Sequence, residues 1–329
     1  AKSNQQLYKT GKNVQLITTK DLEKYKGQNL SEILSQASGF QITGNFNNNT
    51  EPKSLKIRGG KMANVLILID GVPFKDVTGN DYNAADLRLF ASENIESIEI
   101  LSGASSVLYG SNAMGGVINI ITRKNNKEGI SGSVGGAYGM YNTQKYYGAI
   151  GYKKNKVSIL ASANHDYTDG TRANTDFSIM NGLVKAGYAF DEHFNLTIDA
   201  SVAKFNANDN GPIHKPAAFN IDILRGKASA TLENKFDKLQ GAFKVYRNFG
   251  EHTLSDGFHS TDRNSGAMLY QTYKFVTGTL VTGGVDFKQY GGIVNQTKYK
   301  DSLLTVNEIA VYAYAQQNIF EKLTLSAGL

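Results

Sequence analysis

The chain has 329 residues, no cysteine or tryptophan, a net charge of +6, and 34 glycines and 18 tyrosines against only 4 prolines. The missing cysteines exclude disulfides, thiolate nucleophiles and cysteine-ligated zinc. The longest aliphatic run, Val65 to Ile69, falls far short of the roughly 20 apolar residues a membrane helix needs. The lysines are dispersed rather than gathered into a basic stripe with interleaved aromatics, so nucleic acid is not expected as a partner. No basic segment followed by an apolar stretch opens the sequence at Ala1, and a secretory signal is expected to have been removed.

Residues 1–124 read as a compact α+β domain. Asn29 with Glu32 three positions on forms a capping-box pattern, and Leu30, Ile33, Leu34 and Ala37 recur at helical spacing until Gly39 stops them. Strands are expected at 54–58, 65–69, 95–101 and 117–122, separated by glycine-bearing turns such as Asp70-Gly71. The unbroken hydrophobicity of 65–69 and 117–121 predicts strands covered on both faces.

Residues 125–329 follow a different grammar. From Gly129 onward, segments of about ten residues alternate with period two, the length a tilted membrane strand requires. Leu196, Ile198, Ala200 and Val202 share one face, with Thr197, Asp199 and Ser201 on the other. Phe243 and Val245 oppose Lys244, Tyr246 and Asn248, and Val285 and Phe287 oppose Asp286, Lys288 and Tyr290. A soluble sandwich would alternate in the same way. The joints favour a barrel, because short ones such as Lys153-Lys154-Asn155 and Asp191-Glu192-His193 alternate with long polar stretches at 166–176, 206–221, 248–264 and 291–305. All the long joints then lie at one end, as outer loops do in outer-membrane barrels. Tyr138, Tyr152, Tyr188, Tyr246, Tyr290 and Tyr314 fall near strand ends and are expected to form an interfacial girdle. The predicted fold is thus an α+β domain followed by an antiparallel transmembrane β-barrel. About eleven strands are present and the last stops in mid-pattern, so the C-terminal half of the barrel is expected to be missing.

A resemblance adds content to this reading. Leu55-Lys56-Ile57-Arg58-Gly59, Val65 to Ile69 with Asp70-Gly71-Val72-Pro73, and Ile95 to Ile100 occur in the order seen in receptor plugs. Gly103, Leu108-Tyr109-Gly110-Ser111-Asn112-Ala113 and Gly115 to Thr122 follow. Together they resemble the plug domain of TonB-dependent outer-membrane receptors. The resemblance implies a plug (1–124) inside a barrel of about twenty-two strands, of which 125–329 would be the N-terminal half. It also implies active uptake of a scarce, bulky, often metal-containing ligand, energised by TonB through a box expected just upstream of Ala1. The implied partners are TonB with its inner-membrane complex, outer-membrane lipid, the ligand itself and, in some members, a surface lipoprotein. Arg58 matches one of the family's charged ties between plug and barrel. Ser102-Gly103-Ala104 departs from the family's Arg-Gly-Pro pattern, which puts another such tie in doubt.

Ligand contacts are expected from the outward tips of the plug, at Asn47, Asn48 and Asn49, and at Asp76, Thr78, Asn80, Asp81 and Tyr82, through hydrogen bonds to the ligand. For any one of these residues a solvated turn is the simpler reading. His165, His214, His252 and His259 fall in or beside expected outer loops, where imidazole could ligate haem iron or another metal, although their spacing matches no compact motif. His193 lies in a short turn and is expected to be structural. Asp166, Asp169 and Asp176 share one outer loop and could hold calcium, without the EF-hand spacing. Gly132, Gly135, Gly136 and Gly139 alternate like a strand, and are expected to allow close approach to the plug. No nucleophile elbow is present, no cofactor is required, and no catalytic residue is expected.

The leading expectation is therefore uptake of an iron–siderophore complex across the bacterial outer membrane, with cobalamin or haem as alternative ligands. A passive porin-like channel would instead show a thin constriction loop in place of a folded plug, and a two-domain soluble binding protein would have no reason to sort its loops by length.

Overall fold

The computed structural model describes residues 13–44, 50–51, 53–79, 85–103, 106–110, 113–211, 214–215, 217–276, 278–295, 302–319 and 323–329. The first domain holds a five-stranded sheet built from β1 (Asn13–Ile17), β4 (Val65–Ile69), β5 (Val72–Pro73), β6 (Ile95–Ser102) and β7 (Gly116–Thr122), in the order β1-β6-β7-β4-β5. A separate hairpin pairs β2 (Phe40–Thr43) with β3 (Ser54–Ile57). Strands β4 and β7 run parallel and are covered on both faces, as their composition predicts. Val65, Ile67, Ile69, Ile118 and Ile120 pack into one core with helices α1 (Thr19–Lys24) and α2 (Leu30–Ser35). Leu66, Leu68 and Val117 point the other way, toward Tyr109 of the short α3 (Ser106–Tyr109) and Ala113.

Helix α2 begins where the capping box predicts. The Glu32 amide donates to Asn29 Oδ1 at 3.0 Å, and the Asn29 amide donates to Glu32 Oε2 at 2.7 Å. Helix α1, which the periodicity did not reveal, buries only Leu22 and so shows no apolar repeat, but Thr18 and Asp21 cap it reciprocally in the same way. The Asp70-Gly71 turn has positive φ at both residues, +51° and +77°, and pairs Ile69 with Val72. These are the demands of a two-residue hairpin turn of the mirror-image class.

The second domain is one antiparallel sheet of eleven strands in sequence order. They are β8 (Gly129–Gly139), β9 (Thr143–Lys154), β10 (Val157–Thr168), β11 (Phe177–Ala189), β12 (Phe194–Asp209) and β13 (Phe219–Lys235). After them come β14 (Leu239–Leu254), β15 (His259–Lys274), β16 (Thr279–Val294), β17 (Leu304–Ile319) and β18 (Leu323–Gly328). Register sets Leu196, Ile198, Ala200 and Val202 opposite Leu232, Ala230, Ala228 and Gly226, so the apolar faces of neighbouring strands merge into a band. Ile198 is 53% exposed outward, while the adjacent Asp199 is 4% exposed and faces inward. Such an inverted surface suits a wall with lipid outside. Among the described residues no helix is long and apolar enough to cross a membrane.

Three sequence expectations change here. Strands β12 to β17 run 16 or 17 residues, so most of 248–264 is ladder rather than loop, and the joint between β14 and β15 shrinks to 255–258. The polar residues that suggested a loop stay in the ladder because Asn248, His252, Ser260 and Asp262 find partners inside the barrel, while Glu251 and His259 pair with each other outside. The girdle is also made differently. Tyr246 is buried inside the wall and Tyr290 lies under the Lys75 ammonium, 5.2 Å from its ring centroid; Tyr314 pairs with Thr282 on the inward face. At the short-turn end, edge-to-face pairs form instead between Tyr188 and Phe190, Phe194 and Phe236, and Tyr273 and Phe275. Finally, the glycines of β8 serve their own sheet: a side chain at Gly135 would collide with the Tyr147 ring on β9. Gly132 and Gly136 lie opposite Ile150 and Tyr146, on the outward face.

Candidate functional site

The first domain sits against the inner face of the sheet and is gripped by inward side chains of β11 to β15. At the inner end, Lys185 on β11 pairs with Asp70 at 3.0 Å and donates to the Thr122 carbonyl at 3.2 Å. Lys244 on β14 donates to the Asp70 carbonyl at 2.7 Å. Halfway out, Asn248 donates to the Pro73 carbonyl at 2.7 Å. On β13, Lys227 pairs with Asp199 of β12 at 2.7 Å and reaches the Ile69 carbonyl at 3.5 Å.

At the outer end lies a buried charged cluster. Arg225 on β13, with a fully hidden side chain, donates from Nη2 to Asp76 Oδ1 at 2.8 Å and to Asp262 Oδ2 of β15 at 2.7 Å. Its Nη1 reaches the Lys75 carbonyl at 3.1 Å. His252 Nε2 on β14 lies 3.0 Å from Asp76 Oδ2, and Thr78 Oγ1 lies 2.9 Å from Ser260 Oγ. Burial pushes the Asp76 carboxyl up, but the His252 hydrogen bond and the Arg225 charge outweigh it and hold the group below the usual carboxylate range. The cluster needs room that only glycine leaves: a Cβ at Gly250 would overlap the Arg225 guanidinium, and one at Gly292 would collide with Thr78.

Next to this contact, on the side of the long joints, the plug and β9 to β11 enclose a polar cavity of about 500 Å³. Its plug wall carries Gln28, Glu32, Lys53, Arg88 and Glu93, and its barrel wall Lys145, Asp166, Phe177 and Asn181. Arg88 is committed to Asp86 and stacks on Phe205 at 4.5 Å. Lys53 is buried, and desolvation pulls its ammonium down to about 8. A second polar cavity of about 650 Å³ lies toward the short turns, between Ser97, Glu99 and Asn119 of the plug and Ser158, Lys185 and Glu233 of the wall.

The residues expected to contact ligand are scattered by the fold. Asn47, Asn48, Asn49, Asn80, Asp81 and Tyr82 lie outside the described residues. Asp76 and Thr78 are not free tips, because the barrel cations and hydroxyls just described hold them in the plug–wall contact. Arg58 is exposed in a turn with φ +47°, and its amide donates to Gly39. Among the described residues the ionic ties to the wall are made by Asp70 and Asp76.

His252 faces inward on β14, whereas His165 lies on β10 and His214 in the β12–β13 joint. His259 meets Glu251 at 3.1 Å on the outer surface. The histidines therefore form no common site. His193 stacks on Phe236 at 4.5 Å in its turn. Asp166 faces Lys145 at 3.7 Å, Asp169 accepts from the Tyr167 hydroxyl at 2.6 Å, and Asp176 takes both its bonds from Asn208. Among the described residues no group of three or more acidic, histidine or cysteine side chains is placed to hold a metal ion. The sequence reading missed Lys185, Arg225, Lys227 and Lys244. Their signal was a cation on the wet face of a strand, which looks ordinary until the plug brings the Asp70 and Asp76 carboxylates and its backbone carbonyls to it.

A wall with an outward apolar band and a separately folded domain on its inner face is the architecture of a plugged outer-membrane β-barrel. Residues 6–117 match the family model of the TonB-dependent receptor plug domain, and the strands that follow form part of a β-barrel wall. The vitamin B12 transporter BtuB of Vibrio cholerae serotype O1 is 31% identical over 201 residues, which cover 57% of this chain and 32% of that protein. The siderophore receptor PirA of Pseudomonas aeruginosa shares the fold with a TM-score of 0.74 at 18% identity, over 96% of this chain and 55% of that one. The hemophore receptor HasR of Serratia marcescens, solved with its hemophore HasA and heme, gives a TM-score of 0.79 at 17% identity, over 99% and 52%. The chain thus spans about half the length of these solved receptors.

Proposed function

We propose that the full receptor actively imports a bulky metal-containing ligand, with an iron–siderophore complex as the first assignment and TonB as the partner that supplies the energy. The observation that carries this reading is the dry contact between plug and wall. Separating a buried ion pair such as Arg225–Asp76 strands a charge, at a cost of about 3–5 kcal/mol. Several such ties hold the plug closed, so thermal motion alone opens it rarely and passage needs work from outside. A passive pore has no use for such a contact. The cavity beside α2 offers the ligand a polar landing place, and no step in this cycle makes or breaks a covalent bond.

Cobalamin is the second reading, favoured by the 31% identity to a vitamin B12 transporter. Both are tested by expressing the full receptor in a strain lacking its own receptors. Uptake of iron-55 enterobactin, cobalt-57 cyanocobalamin and haem is then measured with and without a protonophore. The first assignment expects iron uptake that stops with the protonophore. Uptake of cyanocobalamin alone would replace it with the second, and uptake that survives loss of the proton gradient would overturn active transport.

A further inference from the structure

The outward face of the wall carries two arginines. Arg247 on β14 stands between the exposed Val245 and Phe249, and Arg263 on β15 shares the outward face with Leu269. The ladder sets Arg247 opposite Ser265 and Arg263 opposite Phe249. The two arginines are therefore diagonal neighbours, about 7–8 Å apart at Cα. The outward carboxylates beside them are already taken, Asp222 by Lys204 and Glu251 by His259. Among the described residues neither guanidinium has an acidic partner, and Arg263 Nε is buried without a hydrogen-bond acceptor.

Their height on the wall is telling. Arg263 lies ten residues along β15 from Tyr273, which belongs to an aromatic pair at the short-turn end, and Ser265, beside Arg247, lies eight. At about 3.4 Å per residue and a strand tilt of about 40°, these are heights of about 26 and 21 Å, against an apolar band about 25 Å tall. Both arginines thus stand where the headgroups of the outer leaflet begin. A guanidinium at that level matches a phosphate, which it binds with two parallel hydrogen bonds.

An apolar groove of about 730 Å³ on the same outward face leads to them. One ladder row runs Ile150, Ala161, Val184, Ala200 and Ala228 and ends at Arg247. The groove follows this row, and the adjoining row supplies its floor: a Cβ at Gly148 would meet nothing, and one at Gly182 would only touch Val202. The Phe249 ring lies flat across Gly226 and closes the upper end. Ile150 is two residues from Tyr152, near the inner turns, whereas Arg247 is eight from the start of β14. The groove therefore slants down from the arginines into the apolar band. Beyond them, Gln289 follows Ser265 in the row and bonds Asn307 at 3.0 Å, adding exposed amides at the headgroup level.

We propose that this face holds a phosphorylated lipid of the outer leaflet, its phosphate on Arg247 and Arg263 and one acyl chain in the groove. The charge of the two arginines selects the phosphate, and the slant of the groove carries the chain toward the bilayer middle. The site rests on the outer-membrane barrel reading and is independent of which ligand is transported.

The full receptor, purified in detergent, tests this by native mass spectrometry. The probes are diphosphoryl lipid A, an acylated sugar phosphate, and the same lipid stripped of its phosphates. The wild type is expected to retain one intact lipid A and to hold the stripped form at least tenfold more weakly, a comparison that needs no variant. Arg247→Gln with Arg263→Gln should weaken the intact lipid at least tenfold and leave the stripped one within about twofold. Gly182→Leu, which fills the groove away from the arginines, should weaken both. Equal retention of the two lipid forms by the wild type, or of intact lipid A by the wild type and the arginine variant, overturns the proposal. So does an arginine-dependent dimer without bound lipid, which would give the face to a second copy of the chain. Insertion into phosphatidylcholine vesicles is measured alongside: a wild type that fails to insert refutes the barrel reading itself, whereas one that inserts without preferring the phosphorylated lipid refutes only this site.

Discussion

Arg225 on β13 and Asp76 of the plug meet at 2.8 Å with both side chains almost wholly hidden, so the charge that fixes the plug's outer loop comes from the wall and not from the plug. The same guanidinium holds Asp262 on β15 at 2.7 Å. One arginine thus joins two barrel strands and the plug.

Removing that arginine leaves two carboxylates facing each other in a dry site. Arg225→Gln is expected to destabilise the folded receptor by about 3–5 kcal/mol. The double change Arg225→Met with Asp76→Asn should cost less than the sum of the single changes, because it removes charge from both sides. Denaturant unfolding of the purified receptor in detergent reads both values.

The space around the cluster gives a second test. Gly250→Ala places a methyl group into the guanidinium, and is expected to cost about 1–3 kcal/mol by overpacking. The same substitution at Gly257, whose Cβ position is open but whose φ is +87°, should cost only the backbone strain of a left-handed alanine, about 1–2 kcal/mol.

Acid should weaken the contact in a defined direction. Asp76 titrates below its ordinary value in the folded protein, so its contribution is complete above the unfolded carboxylate pKa of about 3.9. It is lost as pH falls through the lower folded value. Asp76→Asn should therefore flatten the acid limb of a stability profile measured from pH 6 down to pH 2 while lowering the plateau.

Lys53 predicts the opposite limb. Its folded pKa of about 8 lies below the ordinary lysine value of 10.5, so the unfolded chain binds more protons between these values and stability rises with pH across that window. Lys53→Met should abolish the rise. A profile from pH 7 to pH 11 in which wild type and variant run parallel would contradict the assignment.

The lipid-facing band can be tested at Ile198. Ile198→Arg is expected to cost about 2–4 kcal/mol if the residue lies at the bilayer midplane. Refolding into phospholipid vesicles measures it, and a neutral result would place the band elsewhere.

By itself the sequence determined the elements and their faces. Period-two alternation at Leu196 to Val202 requires one oily and one wet face whatever surrounds it, and the Asn29–Glu32 cap and the Asp70-Gly71 turn are local chemistry complete within a few residues. Which wet residues matter was decided only by the tertiary structure. Lys185, Arg225, Lys227, Asn248 and His252 belong to the polar face of strands, where water would serve them equally well. Their roles exist because the plug brings Asp70, Pro73 and Asp76 to within hydrogen-bond reach across more than a hundred residues of chain. The wall contacts of Asp76 and Thr78 could not be read from pattern for the same reason: a polar residue in a turn has the same local sequence whether it faces solvent or a buried arginine, and only the partner strand distinguishes the two.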